Sequence, residues 1–595
     1  MANQAKFWTH LLPYILPYKR NYLLGMLPIP VSVFCSIAFP WLIIQIIDQQ
    51  LVPLKWQGMG LWLTLISLVL VCNYVSSTLY TYLVQKAALH TIRDLRKDMF
   101  RRVLNFPRSY FDNTPMGTVL TRLTSDLEAI NESLASGLLA MVRDVLITLA
   151  LLIFLATISW QLTLITLLIA PPMYWVTSVL RRILHQSQLD SRRVLSQSTG
   201  YLQESLQGIK TVQLYNAEQE VQSRFGVFTR KFYKFQAKSN LVDASLYAII
   251  EGITTISMGL IIWYGAHEIL AAALSVGVLI GFIQTLDKIF VPVRDFTSQI
   301  ATIQRALAAL KNIESLYQQP LENAGDEALT ADMNHHQLAS LMQNFESLTF
   351  DKVKFRYSKT GPYVLQAVSF TLTKGQKIAL VGSTGSGKST ILRLLTKTYT
   401  DYEGSIKLNG VELSAIPKAL VSNFFSLMQQ EIFLFNESIE FNIGLGRKSL
   451  DLARVQAAAN YVYADEFIEK LPGGYAYQVE DNGRNLSAGQ GQLIAFARAM
   501  ASGSDLVLLD EATSSVDSVT ENMIQRAIDH VFAEKTVIAI AHRLSTIQHS
   551  DVIIVLDQGR IIERGDHASL IRQNGFYANL VSGSKEQAQA NIKVV

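Results

Sequence analysis

Between Val145 and Leu180 the chain runs for 36 residues without a single Asp, Glu, Lys or Arg. As one helix it would be about 54 Å long, well beyond the roughly 30 Å of hydrocarbon in a bilayer. The stretch therefore has to fold back, and Ser159–Gln161 is the place for the turn. With the first arm starting near Gly137, two spans result, about 137–158 and 161–180. Residues 23–47 and 56–85 are equally free of charge, and 245–293 is interrupted only at Glu251, His267, Glu268, Asp287 and Lys288. Six spans follow, at about 23–47, 59–84, 137–158, 161–180, 247–266 and 272–293. A composition of 49% hydrophobic and 17% charged residues is the consequence, too apolar for one ordinary water-soluble domain.

Lys and Arg set the orientation. Lys86, Arg93, Arg96, Lys97, Arg101, Arg102, Arg108 and Arg122 fall in segment 86–136, and ten more lie between Arg181 and Lys238. Of the three opposite loops only the first holds a basic residue, Lys55. The positive-inside rule puts both long segments, the N-terminus and everything after residue 294 in the cytoplasm. A net charge of +4 thus reflects membrane topology, and nucleic acid is excluded as a partner because no basic run with interleaved aromatics occurs. Cys35 and Cys72 fall inside spans and read as small apolar residues. No cleavable signal is expected; residues 1–20 read as an interfacial elbow helix with Trp8, Tyr14 and Tyr18 at headgroup level.

Around 86–106 and 181–240 apolar residues recur at helical spacing, so the spans continue about 25–30 Å beyond the bilayer as amphipathic arms. Each arm is broken once, at Tyr110–Asp126, which holds Pro115 and Gly117, and at Glu204–Glu218, which holds Gly208. The membrane domain is expected over 21–317 and a polar linker over 318–346. An α/β domain follows over 347–580, then a tail over 581–595. Inside the membrane, Glu251 reads as a cation-attracting cavity residue, a structural hydrogen bonder, or a residue near the cytoplasmic interface. Arg143 and Asp144 cost too much to face lipid, Asp287 and Lys288 are expected to pair with neighbouring helices, and Trp263, Tyr264, Phe282 and Phe290 to pack between helices rather than line a cavity.

The α/β domain carries the chemistry. Gly382, Ser383, Thr384, Gly385, Ser386, Gly387, Lys388, Ser389 and Thr390 follow the apolar strand Lys377–Val381 and open a helix over Ile391–Tyr399. Glycines there let backbone N–H groups point inward at a phosphate, Lys388 neutralises the β- and γ-phosphates, and the Ser389 hydroxyl suits Mg²⁺. Downstream come Asn485–Ala499, an apolar strand ending in Asp510 and Glu511, Asp517, and His542 at a strand end. Upstream lie Gln430, before a helical insertion over about 435–503, and Tyr357.

In this order the motifs resemble the ATP-binding cassette (ABC) family. With six preceding spans and long arms, the chain resembles an exporter half-transporter of the multidrug-resistance-like bacterial subgroup. The resemblance implies an α-helical membrane domain of six transmembrane helices with long cytoplasmic extensions, then an α/β P-loop NTPase domain of the ABC type. It implies Asp510 as holder of the Mg²⁺ shell with Ser389 and Gln430, and Glu511 as the group that activates water. His542 would bond the γ-phosphate and Tyr357 would stack on adenine. Ser487, Gly489 and Gln490, at a helix start, would serve an ATP held by the partner chain, and Asp517 would cross the dimer interface. The arm breaks would be coupling helices. Two departures stand out: Ala488 and Gly491 in the signature, where glycine and a basic residue are usual, and Asp481 where glutamate is usual. The implied partners are a second half-transporter, more readily a different chain than a copy, membrane lipids and a small amphipathic or lipophilic cargo. The implied location is the bacterial cytoplasmic membrane, with both termini inside. A homodimeric lipid flippase and an ATP-gated channel are the other readings.

Overall fold

The computed structural model describes residues 11–582 except 272, 323–344, 431, 448, 511–517 and 541–546, and omits the side chains of 287, 291, 293–298, 419, 422, 423 and 518–520. Contacts divide the chain into two units, residues 1–104 with 116–319, and residues 105–115 with 320–595.

The first unit is all helix. Lys19–Met26 (α1) leads into Pro28–Ile46 (α2), and Met59–Leu104 (α3) follows. Arg108–Asn113 (α4) belongs to the second unit. Met116–Leu123 (α5), Ser125–Glu132 (α6), Leu138–Ile158 (α7), Trp160–Gln207 (α8), Ile209–Leu214 (α9), Glu218–Leu270 (α10) and Val276–Tyr317 (α11) complete it. Five helical stretches among the described residues are long and apolar enough to cross a membrane, the last ending at Leu270. The sixth expected span falls on α11, whose 42 residues exceed the length of one crossing. At 46, 48 and 53 residues, α3, α8 and α10 are about 70–80 Å long, more than twice the hydrocarbon thickness. Large side chains such as Leu68, Leu168 and Trp175 stand exposed along them, as expected of faces that meet lipid. The core between α7, α8, α10 and α11 holds Leu151, Leu155, Leu162, Met173, Ile261 and Phe282, all fully buried, together with Phe290. Trp263 is exposed rather than packed.

Local chemistry explains the breaks. Ser159 is extended and its hydroxyl caps α8 by accepting from Leu162 N at 3.4 Å. The first arm breaks at Pro107 and Pro115, while Gly117 lies within α5; the break therefore begins earlier than its sequence markers suggested. In the second arm Gly208 ends α8. Tyr14 and Tyr18, expected at headgroup level, give their hydroxyls to Asp98 (2.7 Å) and Asp94 (2.5 Å) on α3; Trp8 lies outside the described residues. Cys35 is buried, Cys72 half-buried, and both are free thiols.

A π-helical turn at Ile47–Leu51 aims Asp48 at the start of α11. Its carboxylate accepts from Ser275 Oγ at 2.6 Å and from Gly277 N at 2.9 Å. The approach is so close that a Cβ on Gly277 would lie 2.6 Å from both Asp48 Oδ1 and Ile44 O.

The intramembrane charges are handled unequally. Arg143 pairs with Asp144 (2.9 Å) and lies 5.1 Å over the Tyr80 ring, and Gln299 bonds the second carboxylate oxygen at 3.0 Å. Glu251 is exposed and nineteen residues before the end of α10, about 28 Å along the helix. Lys288 lies twelve residues into α11, about 18 Å from its first residue, within the expected span 272–293. Its contact is the Phe39 ring, 4.7 Å away. Such a contact contributes about 0.5–2 kcal/mol, which offsets part of the cost of a lysine inside a span.

The second unit has two sheets. Ser347–Phe355 (β1), Leu365–Thr373 (β2), Tyr402–Leu408 (β4) and Val411–Glu412 (β5) form an antiparallel sheet in the order β2-β1-β4-β5. Lys377–Gly382 (β3), Phe425–Met428 (β6), Leu506–Asp510 (β7), Thr536–Ile540 (β8), Val552–Asp557 (β9) and Arg560–Gly565 (β10) form the other, in the order β10-β9-β3-β8-β7-β6. All but β10 run parallel. Side chains alternate across this sheet: Leu506, Leu508, Ile538 and Ile540 join one hydrophobic core, while Val507, Leu509, Val537 and Ala539 join another.

Gly277→Ala should force Asp48 and Ile44 apart and cost about 1–3 kcal/mol. It should lower the thermal midpoint in detergent, whereas Gly259→Ala, with nothing within 4 Å of the added methyl, should not. Equal midpoints for both variants would contradict the close approach.

Candidate ATP site

The phosphate loop joins β3 to the helix Lys388–Leu395 (α12). Gly382, Gly385 and Gly387 have φ of 154°, 83° and 104°, the left-handed region that glycine tolerates. At Gly382 a Cβ would lie 2.0 Å from Leu556 O, so no other residue fits. Ile391, Leu392, Leu394 and Leu395 anchor α12 in the first core. Lys388 is 7% exposed and donates to Gly382 O at 2.8 Å and Ser383 O at 2.9 Å, which holds its ammonium across the loop. Ser386 Oγ is buried with no hydrogen-bond partner, an unusual cost inside a loop that suits a phosphate acceptor. Ser383, Thr384 and Gly385 are exposed, and Ser389 is half-buried.

Parallel strands place their carboxyl ends on one edge. Leu380 is in register with Ile540, Ile540 with Asp510, and Leu509 with Met428. The loop after Gly382, the Asp510 carboxylate and Gln430, two residues beyond β6, therefore share that edge. The hydroxyl of Ser389, the carboxylate of Asp510 and the amide oxygen of Gln430 form a hard-oxygen donor set that fits Mg²⁺. Glu511, Asp517 and His542 lie outside the described residues.

Tyr357, at the end of β1, is 44% exposed. Its hydroxyl pairs with Thr390 Oγ1 at 2.9 Å and accepts from Arg393 Nη1 at 3.1 Å, tying the ring to α12. Sequence reasoning missed the residues behind it. Tyr399 packs edge-on against Tyr357 (5.1 Å) and Phe355 (5.5 Å), and its hydroxyl donates to Asp112 of α4, which Arg108 also pairs at 3.0 Å. Burial first, then the Asp112 carboxylate, push the Tyr399 phenol up to about 12, so it stays a donor at neutral pH. Tyr357 and Tyr399 border a cavity of about 560 Å³ that also reaches Pro107, Arg356 and Tyr363.

The structure does not bring Ser487, Gly489 and Gln490 to this core. They open the helix Ala488–Met500 (α13), whose Leu493, Ile494, Phe496 and Ala497 sit in the second core. Ser487 Oγ accepts from Gln490 N at 3.2 Å and Gln490 Oε1 accepts from Ser487 N at 3.0 Å, a reciprocal cap that fixes the helix start. Gly489 is buried, while Ser487 and Ala488 are exposed, so the departure at Ala488 adds a methyl on the surface. Asp481 (φ 48°), Asn482 and Gly483 form a tight turn before it. Arg498 was also missed: it donates to Phe433 O at 2.9 Å and Asn442 O at 2.6 Å, joining α13 to the segment after Gln430.

Residues 22–293 match the family model for the ABC transporter transmembrane region, and residues 365–514 match the model for the ABC transporter. The chain is 32% identical over 589 residues to the uncharacterized ABC transporter ATP-binding protein YknV of Bacillus subtilis (strain 168), covering 98% of this chain and 96% of the relative. It is 31% identical over 599 residues to the ATP-dependent lipid A-core flippase of Chromobacterium violaceum, covering 99% of each. A solved bacterial Atm1-family ABC exporter with ATP bound superposes with a TM-score of 0.74 at 26% identity, over 95% of this chain and 98% of that one. A helical membrane region fused to a phosphate-loop ATPase, similar along nearly its whole length to such proteins, places this chain in the ABC transporter family as an ATP-driven exporter.

Proposed function

We propose that this chain is one half of a dimeric exporter that moves amphipathic or lipophilic small molecules across the bacterial cytoplasmic membrane, with both termini in the cytoplasm. One observation carries the dimer: the phosphate loop and the Ser487 cap belong to separate cores on opposite faces of one sheet. A complete ATP site then takes the loop of one chain and the capped helix of another. Lys388 and the loop N–H groups neutralise the phosphates, Tyr357 stacks on adenine, and Ser487, Gly489 and Gln490 serve the second chain's γ-phosphate. Mg²⁺, held by Ser389, Asp510 and Gln430, would supply charge neutralisation between the β- and γ-phosphates. Glu511 activates water, His542 bonds the γ-phosphate, and Asp517 crosses the interface.

Closure on ATP reaches the membrane through the two arm breaks. Tyr399 and Asp112 bind α4 to the ring that meets adenine. On α9, Ile209 and Leu214 are exposed, with Tyr215 just beyond at 80%, an apolar face suited to another chain's ATPase domain. A different second chain remains the proposed mate. The relatives named lipid A-core flippase favour a second reading, a homodimer that turns over lipids. Native purification distinguishes the two by whether a second half-transporter comes with this one.

In the purified dimer Glu511→Gln should retain ATP binding and lower turnover about a hundredfold or more. Full turnover in that variant would remove Glu511 from the chemistry. Tyr399→Phe and Asp112→Asn should each cut the cargo moved per ATP about three- to tenfold, the net worth of one ordinary, partly exposed hydrogen bond. The double variant should be no worse than either single one. Additive losses would show that the two residues act separately.

A further inference from the structure

Along α11 the side chains divide by direction. Phe282, Leu286, Ile289 and Phe290 are buried in the helical core, whereas Gln284 is exposed and Lys288, one turn on, is half-buried. An amide and an ammonium at this spacing make a polar stripe on one face of a span. Lipid does not tolerate such a stripe, which requires water or a polar ligand on that side. Among the residues whose side chains are described, Lys288 has no carboxylate within ion-pair distance. The contrast with Arg143 is direct, because Asp144 neutralises that cation and Gln299 completes the carboxylate. Lys288 lies instead on Phe39 of α2, whose ring supports the charge from one side without cancelling it.

We propose that Gln284, Lys288 and Phe39 form a cargo contact within the membrane domain that takes an amphiphile with one anionic group, its carboxylate or phosphate on the ammonium and its apolar body against the ring. This rests on the exporter reading and names the cargo class for it. An ammonium already desolvated on one side gains more from an anion than a hydrated one does, and the Gln284 amide adds a donor to the same group. A neutral cargo gains nothing from the charge, so the stripe separates anionic from neutral amphiphiles.

The test uses proteoliposomes of the complete dimer in phosphatidylcholine, with ATP-driven movement measured for two probe pairs. One pair is labelled phosphatidylglycerol against labelled phosphatidylcholine; the other is a dansylated fatty acid against its amide. In wild type at least one anionic probe should move faster than its uncharged-headgroup counterpart. Lys288→Gln should lower that anionic-to-neutral ratio about tenfold or more, and Lys288→Arg should restore it to within about threefold of wild type. The pair that responds tells whether the anion belongs to a lipid or to a soluble amphiphile. An unchanged ratio in Lys288→Gln, or equal loss for both members of each pair, overturns the proposal while leaving the exporter reading intact. So does wild-type transport confined to the neutral probes. ATP turnover without ATP-driven movement of any probe would overturn the exporter reading itself, and this inference with it.

Discussion

Side chains alternate between the two faces of the parallel sheet, and each face anchors one half of the proposed ATP site. Here β7 and β8 send Leu508 and Ile538 to the core beneath the phosphate loop and Val507 and Val537 to the core beneath the capped helix α13. The loop with Lys388 therefore belongs to one side of the domain and Ser487 to the other. On the proposed reading a second chain finishes each site, ATP joins two ATPase domains, and nucleotide binding does mechanical work by drawing them together.

The membrane half is built to receive that work. Helices of 46 to 53 residues carry the spans beyond the bilayer as rigid levers, since their hydrogen bonds are internal and their length far exceeds its thickness. Their ends are held by polar contacts of high specificity: Asp48 on Ser275 and Gly277, and Tyr14 and Tyr317 on Asp98. Between those ends the spans pack through apolar side chains, which slide more readily than hydrogen-bonded ones. Polar contacts interrupt this packing where Gln299 bonds Asp144, and Lys288 differs from them in resting on the Phe39 ring.

Much of this was legible from the residues. Charge-free runs exposed the spans because hydrocarbon admits few alternatives, and Ser159 marked a turn because a 36-residue run cannot cross once. The phosphate loop was legible because its chemistry fixes spacing. Tyr399, Asp112 and Arg498 were not, because their roles come from contacts between segments far apart in the chain, such as Tyr399 with Asp112, 287 residues away. The first arm break at Pro115 was legible, but not its earlier start, since Pro107 ends a helix as firmly as Pro115 does. Tyr14 and Tyr18 looked like lipid anchors because an aromatic near a span fits that role equally well; only tertiary structure shows the carboxylates that hold them.

The most direct measurement is a cryo-electron microscopy map of the full dimer carrying Glu511→Gln with Mg·ATP. The ATP held by this chain's phosphate loop should also touch the N-terminal turn of a signature helix contributed by the other chain. A nucleotide-loaded phosphate loop facing solvent, or completed by α13 of its own chain, would contradict the shared seam on which the account depends.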